Sequence, residues 1–265
     1  MIIKFMSNTY PIYRSHAIKE LIFALQFREA FDKDSLEKLI QSERLKSELP
    51  NVEKINETSS LAGVEFRHFK DDEKIDWMLR VHGNFISVNC LDYEGWKKVW
   101  SHARQYLEWV VKSQQNSLEE IMLQYVDLFV YEGQLSEYSL TELFDEKAPY
   151  LTQKIKAAGP LWHINHGWFD QVEQFQARCL NILNINTAQM AESRALLTQI
   201  EHRGQIQFGE SLTEVTSLFV SSDNHAPIDD IISYLHQNNK NIMLELLQPN
   251  MAKRLGLIAS ESRYD

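Results

Sequence analysis

Alternating and continuous apolar runs in the first third of the chain predict a strand, a helix and then a group of strands. Residues 18–27 (IKELIFALQF) are apolar and aromatic, which is typical of a strand buried on at least one face. Asp34 followed by Glu37 has the spacing that caps a helix start, and Leu36, Leu39, Ile40 and Leu45 then form one apolar stripe. We therefore expect a short amphipathic helix that ends before Pro50.

The next segment predicts an antiparallel meander followed by a long helix. Strand patterns cover residues 63–69, 76–82 and 85–91, and the dipeptide Gly83-Asn84 suits a tight hairpin turn. From Trp96 to Val111 apolar residues recur every three or four positions, which is the period of a helix with one buried face. Residues 120–131 (EIMLQYVDLFVY) then predict a long strand.

The remaining half predicts a second meander and a terminal helix. Residues 134–160 hold a short helix around 140–144 and a Gly159-Pro160 break, so we interpret them as a connector. Three strand-like runs follow at 161–170, 177–187 and 196–208. Asp223 or Asn224 can cap a last helix that has Pro227 in its first turn.

These elements predict an α+β protein with two mainly antiparallel sheets, each covered by helices. The boundaries place an N-terminal half at 1–133, a connector at 134–160, and a three-strand meander with a helix at 161–265. The second half could repeat the first, which would make the arrangement pseudo-duplicated.

Composition and charge exclude several classes of protein. The net charge of −10 argues against nucleic acid as the main partner, because affinity for nucleic acid depends on neutralising phosphates. The chain has nine glycines and no glycine-rich phosphate loop, which disfavours a nucleotide cofactor. Neither a signal peptide nor a membrane span is evident, and Cys90 and Cys179 form no paired motif. We therefore expect a cytoplasmic protein without cofactors, metals or membrane contact.

Asp127 is the most informative single residue. The run Leu123, Tyr125, Asp127, Phe129 places a carboxylate among aromatic rings on one face of a strand. A buried carboxylate is costly unless it is paired or protonated. Asp127 is thus either a structural hydrogen-bonding centre or, with Tyr125, part of a polar cavity that binds a ligand.

Three histidines are weaker candidates. His163 and His166 lie three apart, but a strand would send them to opposite faces, which argues against a shared metal. His202, between Glu201 and Arg203, could form an acid–base pair with a carboxylate on a neighbouring strand. Tyr125, Asp127, His163, His166 and His202 are the candidate ligand-binding residues, and the sequence indicates no catalytic motif.

Parts of the chain resemble a sporadically distributed bacterial protein family of unassigned function. Residues 17–27 look like the opening strand of that family, Gly95-Trp96 resembles its helix start, and residues 123–127 (LQYVD) are similar to its Arg-Tyr-hydrophobic-Asn strand. His225 occupies the position of a late histidine at a helix start. The chain departs from the pattern at Ala17 for Pro, Ala24 for Glu, Gln26 and Gln124 for Arg, and Asp127 for Asn.

This resemblance implies a bacterial α+β protein, and the family's patchy distribution is similar to that of defence or toxin–antitoxin genes. The leading hypothesis is a non-enzymatic binding or regulatory protein that recognises a partner protein, for example one encoded by a neighbouring gene of a defence or toxin–antitoxin operon. The alternatives are a small-ligand sensor with a cavity between the sheets, and a hydrolase that uses His163 or His166 with His202 and a carboxylate. The absence of catalytic motifs favours the non-enzymatic functions.

Overall fold

The computed structural model describes residues 8–55, 62–113, 116–190, 195–220 and 226–258. The strands in chain order are β1 (Thr9–Pro11), β2 (Ile18–Phe27), β3 (Asn51–Ile55), β4 (Gly63–Phe69), β5 (Ile75–His82), β6 (Phe85–Cys90), β7 (Leu118–Tyr131), β8 (His163–Val172), β9 (Ala177–Gln189) and β10 (Leu196–Leu212). The helices are α1 (Lys33–Ile40), α2 (Glu43–Glu48), α3 (Trp96–Val111), α4 (Gln153–Lys156), α5 (Pro227–Leu246) and α6 (Pro249–Arg254). The mixed α+β class predicted from the sequence is confirmed.

The prediction of two sheets is wrong, because these strands form one antiparallel sheet. Its order is β3-β4-β5-β6-β2-β7-β10-β9-β8, and β1 pairs with β7. The two predicted meanders join where β7 pairs with β10, from Tyr131 opposite Leu196 to Glu120 opposite Gln207. Each of these long strands would otherwise leave a row of backbone N–H and C=O groups unpaired, and pairing them satisfies both rows.

Local chemistry explains most element boundaries. The Asp32 side chain, rather than Asp34, caps α1 by accepting a 2.7 Å hydrogen bond from the N–H of Ser35. Ser42 caps α2, so the single helix predicted before Pro50 is two. Gly83 has a φ of 58°, as the hairpin between β5 and β6 requires. The proposed caps Asp223 and Asn224, and His225, lie outside the described residues.

Two short strands, β1 and β3, were not predicted from the sequence. β1 has only 3 residues, too few for a periodic pattern. β3 (NVEKI) is mostly polar, and it pairs only with β4 at one end of the sheet.

The helices of the described residues pack on one face of the sheet, over two hydrophobic clusters. The first cluster lies beneath α1, α2, α3 and the start of α5 and includes Phe23, Phe66 and Leu107. The second lies beneath the end of α5 and includes Phe129 and Ile200. Tyr125 belongs to the first cluster and Phe129 to the second, so Asp127 lies at the boundary between them.

The segment 134–160 packs against the end of α5. Phe144 forms a β-bridge with Leu247, and the N–H of Asp145 donates to the carbonyl of Leu246 at 2.9 Å. The division into two halves and a connector stays a prediction. Among the described helices, none has both the length and the apolar character needed to cross a membrane.

A glycine on β10 lets α5 approach the sheet closely, and this generates a stability prediction. A Cβ at Gly204 would lie 2.9 Å from Cδ2 of Leu235 on α5, whereas one at Gly167 on β8 would be 3.9 Å from its nearest neighbour. We expect Gly204→Val to lower the free energy of unfolding by ~1–3 kcal/mol through overpacking. The matched control Gly167→Val should stay within ~0.5 kcal/mol of wild type or exceed it, because valine favours strands.

Urea denaturation of the two variants and the wild type measures the difference. Equal stability of Gly204→Val and wild type would show that α5 is not held against β10 at this position.

Candidate ligand-binding site

A cavity of about 510 Å³ opens beneath the start of α3 and the middle of α5. Its floor is the sheet, where β7 contributes Tyr125 and Asp127. The segment before β2 and the residues after α6 complete the walls. The rings on these walls are His16, Tyr93, Trp96, Tyr125 and His236. The cavity is therefore largely aromatic, with a few charged groups.

Asp127 is the buried charge of this cavity. Its side chain is only 5% exposed, because the alternation of β7 directs it to the helix-covered face together with Tyr125 and Phe129. No hydrogen bond or ion pair from any described residue reaches its carboxylate. Burial raises the pKa of Asp127 to about 7. The carboxylate thus lacks the protein partner that such a group normally has.

Tyr125, His236 and Trp96 form one wall. The hydroxyl oxygen of Tyr125 lies 2.5 Å from Nδ1 of His236, and the imidazole stacks on the Trp96 indole with centroids 3.8 Å apart and planes 4° apart. Burial, together with the nearby charge of Lys240, lowers the pKa of His236 to about 4. His236 is therefore neutral at pH 7, and the tautomer of its imidazole decides whether Nδ1 or the Tyr125 hydroxyl donates this hydrogen bond.

Tyr93 and His16 also line the cavity, with ring centroids 5.3 Å apart. Burial raises the pKa of Tyr93 to about 12, so its phenol stays protonated. Burial also lowers the pKa of His16, whose Nδ1 has no hydrogen-bond partner within the described part of the chain. Both side chains are uncharged near pH 7.

His202 belongs to a separate hydrogen-bonded network beside the cavity. Its Nδ1 lies 3.0 Å from Oδ1 of Asn239, and its Nε2 lies 3.2 Å from Oδ1 of Asn181. Asn181 also accepts from Asn238 at 2.6 Å and donates to Asp170 at 2.7 Å. Burial lowers the pKa of His202 to about 4, so the imidazole is neutral and donates its single N–H to one of these two amide oxygens. This network links β9, β10 and α5.

The structure brings two of the five candidate residues into the cavity. Tyr125 and Asp127 line it, and His202 lies opposite Tyr125 in the β7–β10 pair but is held by its own network. His166 shares that face two strands further on, and its Nε2 lies 2.7 Å from the carbonyl oxygen of Tyr150. His163 is on the opposite face. The three histidines of the hydrolase hypothesis thus do not meet.

Sequence reasoning did not identify the contribution of α5. His236, Asn239, Lys240 and Met243 line the cavity at helical spacing. Asn239 interrupts an apolar stripe that includes Leu235 and Ile242. The asparagine is only 6% exposed. A buried asparagine within an apolar stripe was a signal that a polar feature lies beneath this turn of the helix.

Among the residues that the structure describes, no three or more His, Cys, Asp or Glu side chains form a group that could hold a metal ion. No protein-family model matches the sequence, and no curated protein matches it either. The resemblance to the sporadically distributed family stays a prediction.

The buried carboxylate generates a prediction about stability and pH. Between about pH 4 and about pH 7 the folded protein keeps a proton on Asp127 that the unfolded chain has released. The contribution of Asp127 to the free energy of unfolding should therefore decrease as the pH rises through this range, by roughly 4 kcal/mol at most. Asp127→Asn removes this contribution.

The measurement is the difference in unfolding free energy between wild type and Asp127→Asn from pH 4.5 to pH 8. Taking a difference is necessary because His202 and His236, whose pKa values are lowered, oppose the trend below about pH 6.5 in both proteins. Asp71→Asn, at an exposed turn, is the matched control. A difference that does not change with pH would contradict the prediction.

Proposed function

We propose that this protein binds a small organic molecule in the cavity between α3, α5 and β7 and acts as a ligand sensor. The observation that carries the proposal is the buried carboxylate of Asp127 on the cavity floor, to which no described residue supplies a hydrogen bond or a counter-charge. This is one of the hypotheses that the sequence left open, with the cavity between sheet and helices rather than between two sheets.

The free-energy cost of burying the Asp127 carboxylate supports the proposal that a ligand binds here. Leaving a carboxylate buried without a partner costs several kcal/mol, and the usual solutions in proteins are pairing or a hydrogen bond. His202, buried on the adjacent strand, has such partners. Asp127 has none from the described residues, so a group supplied from outside would complete its environment.

The walls also have the properties of a ligand site. Ligand cavities of proteins typically measure about 300–1,000 Å³ and combine aromatic walls with a few polar groups. The stacked pair of Trp96 and His236 and the hydrogen bond of Tyr125 hold the walls in place without a ligand. Ser15 and Glu94 are exposed residues of the lining, so the cavity communicates with solvent.

Blocking the cavity tests this function. A library of metabolites is screened by thermal shift, and at least one compound should raise the Tm of the wild type in a concentration-dependent manner. Ser15→Trp places a large side chain at the rim and should abolish that shift. Ser47→Trp, on the exposed surface of α2 and remote from the cavity, should keep it.

The proposal fails if no compound binds, or if Ser15→Trp binds the best compound as tightly as Ser47→Trp does in calorimetry. Recognition of a partner protein and hydrolysis stay predictions, and neither depends on the cavity.

A further inference from the structure

We infer that the ligand is a small zwitterion of the amino-acid class, whose ammonium group pairs with Asp127 and whose carboxylate pairs with Lys240. This inference rests on the proposed function and names its ligand.

The ionised form of Asp127 is stabilised by a cation or a strong hydrogen-bond donor. It is buried on the sheet side of the cavity, and the nearest positions on its strand face are the rings of Tyr125 and Phe129. An ammonium group here would gain both a charge-assisted hydrogen bond and the attraction of the surrounding aromatic rings.

Lys240 is the lysine of the lining, and an anionic group of a ligand can pair with it. It is half-buried on α5, and no ion pair or hydrogen bond joins it to another described residue. Glu94, the other acidic residue of the lining, forms an ion pair with Lys98. The start of α3 adds positive potential at the same wall, since Gly95 provides no side-chain cap and the first turn holds no acidic residue.

Asp127 and Lys240 do not form an ion pair with each other. Asp127 lies on the sheet and Lys240 on the helix, and no ion pair within 4.0 Å connects them. His16 and His236 are neutral near pH 7 because burial lowers the pKa of each. The cavity therefore offers one acidic side chain on the sheet and one basic side chain on the helix, which a molecule with one charge of each sign can bridge.

The rest of the lining suits an apolar side chain. Trp96, Met243 and Leu257 line the cavity alongside the charged groups. An amino acid with an aromatic or aliphatic side chain would contact these residues while its two charged groups meet Asp127 and Lys240.

Calorimetry with the twenty amino acids, followed by comparison of the best one with its decarboxylated and deaminated counterparts, tests the inference. We expect the intact amino acid to bind at least tenfold more tightly than the amine or the acid alone. Asp127→Asn should lower its affinity at least tenfold and leave binding of the deaminated acid unchanged. Lys240→Met should lower its affinity similarly and leave binding of the amine unchanged.

Lys253→Met on α6 and Asp71→Asn are the matched controls and should bind like wild type. Circular dichroism and Tm verify that each variant is folded. Binding of only the amine, only the acid or an uncharged compound, still blocked by Ser15→Trp, would overturn this inference and leave the proposed function standing. Binding of no compound by the wild type would overturn both.

Discussion

The pairing of β7 with β10 joins the two parts of the chain and positions the helices above them. It runs from Tyr131 and Leu196 to Glu120 and Gln207 and turns two antiparallel meanders into one sheet. Because the sheet is continuous, its helices share one face, and α5 packs over the junction against both β7 and β10. The same pairing places Tyr125 beside His202, so polar side chains from both parts of the chain gather beneath one helix.

That polar region separates the two hydrophobic clusters of the core. Two ionisable side chains buried there, His202 and Asp127, have different environments. His202 is neutral and lies within hydrogen-bond distance of Asn239 on α5 and Asn181 on β9, so its network joins α5 to β9 and β10. Asp127 is also buried, yet no described side chain forms a hydrogen bond or an ion pair with it. A buried hydrogen-bonded network stabilises a fold, whereas a buried carboxylate without a partner beside a cavity is typical of a ligand-binding site.

The cavity is assembled from segments that are far apart in the chain. His16 precedes β2, Tyr93 and Trp96 lie at the start of α3, Tyr125 lies on β7, and His236 lies on α5. Each of these elements is stabilised by the hydrophobic clusters and not by the cavity itself. The walls therefore exist before a ligand arrives, which lowers the entropic cost of binding.

Most elements could be predicted from the sequence, because the spacing of hydrophobic residues along the chain is a local property. The strand at residues 18–27, the helix from Trp96 to Val111 and the hairpin at Gly83 all follow from it, as does the inward direction of Asp127 on β7. That the strands form one sheet could not be predicted, because the pairing of β7 with β10 joins backbone N–H and C=O groups and leaves no pattern in the sequence. The location of the site likewise depends on tertiary contacts. His236 and Lys240 reach Asp127's cavity because α5 crosses that junction, a contact that no local spacing encodes.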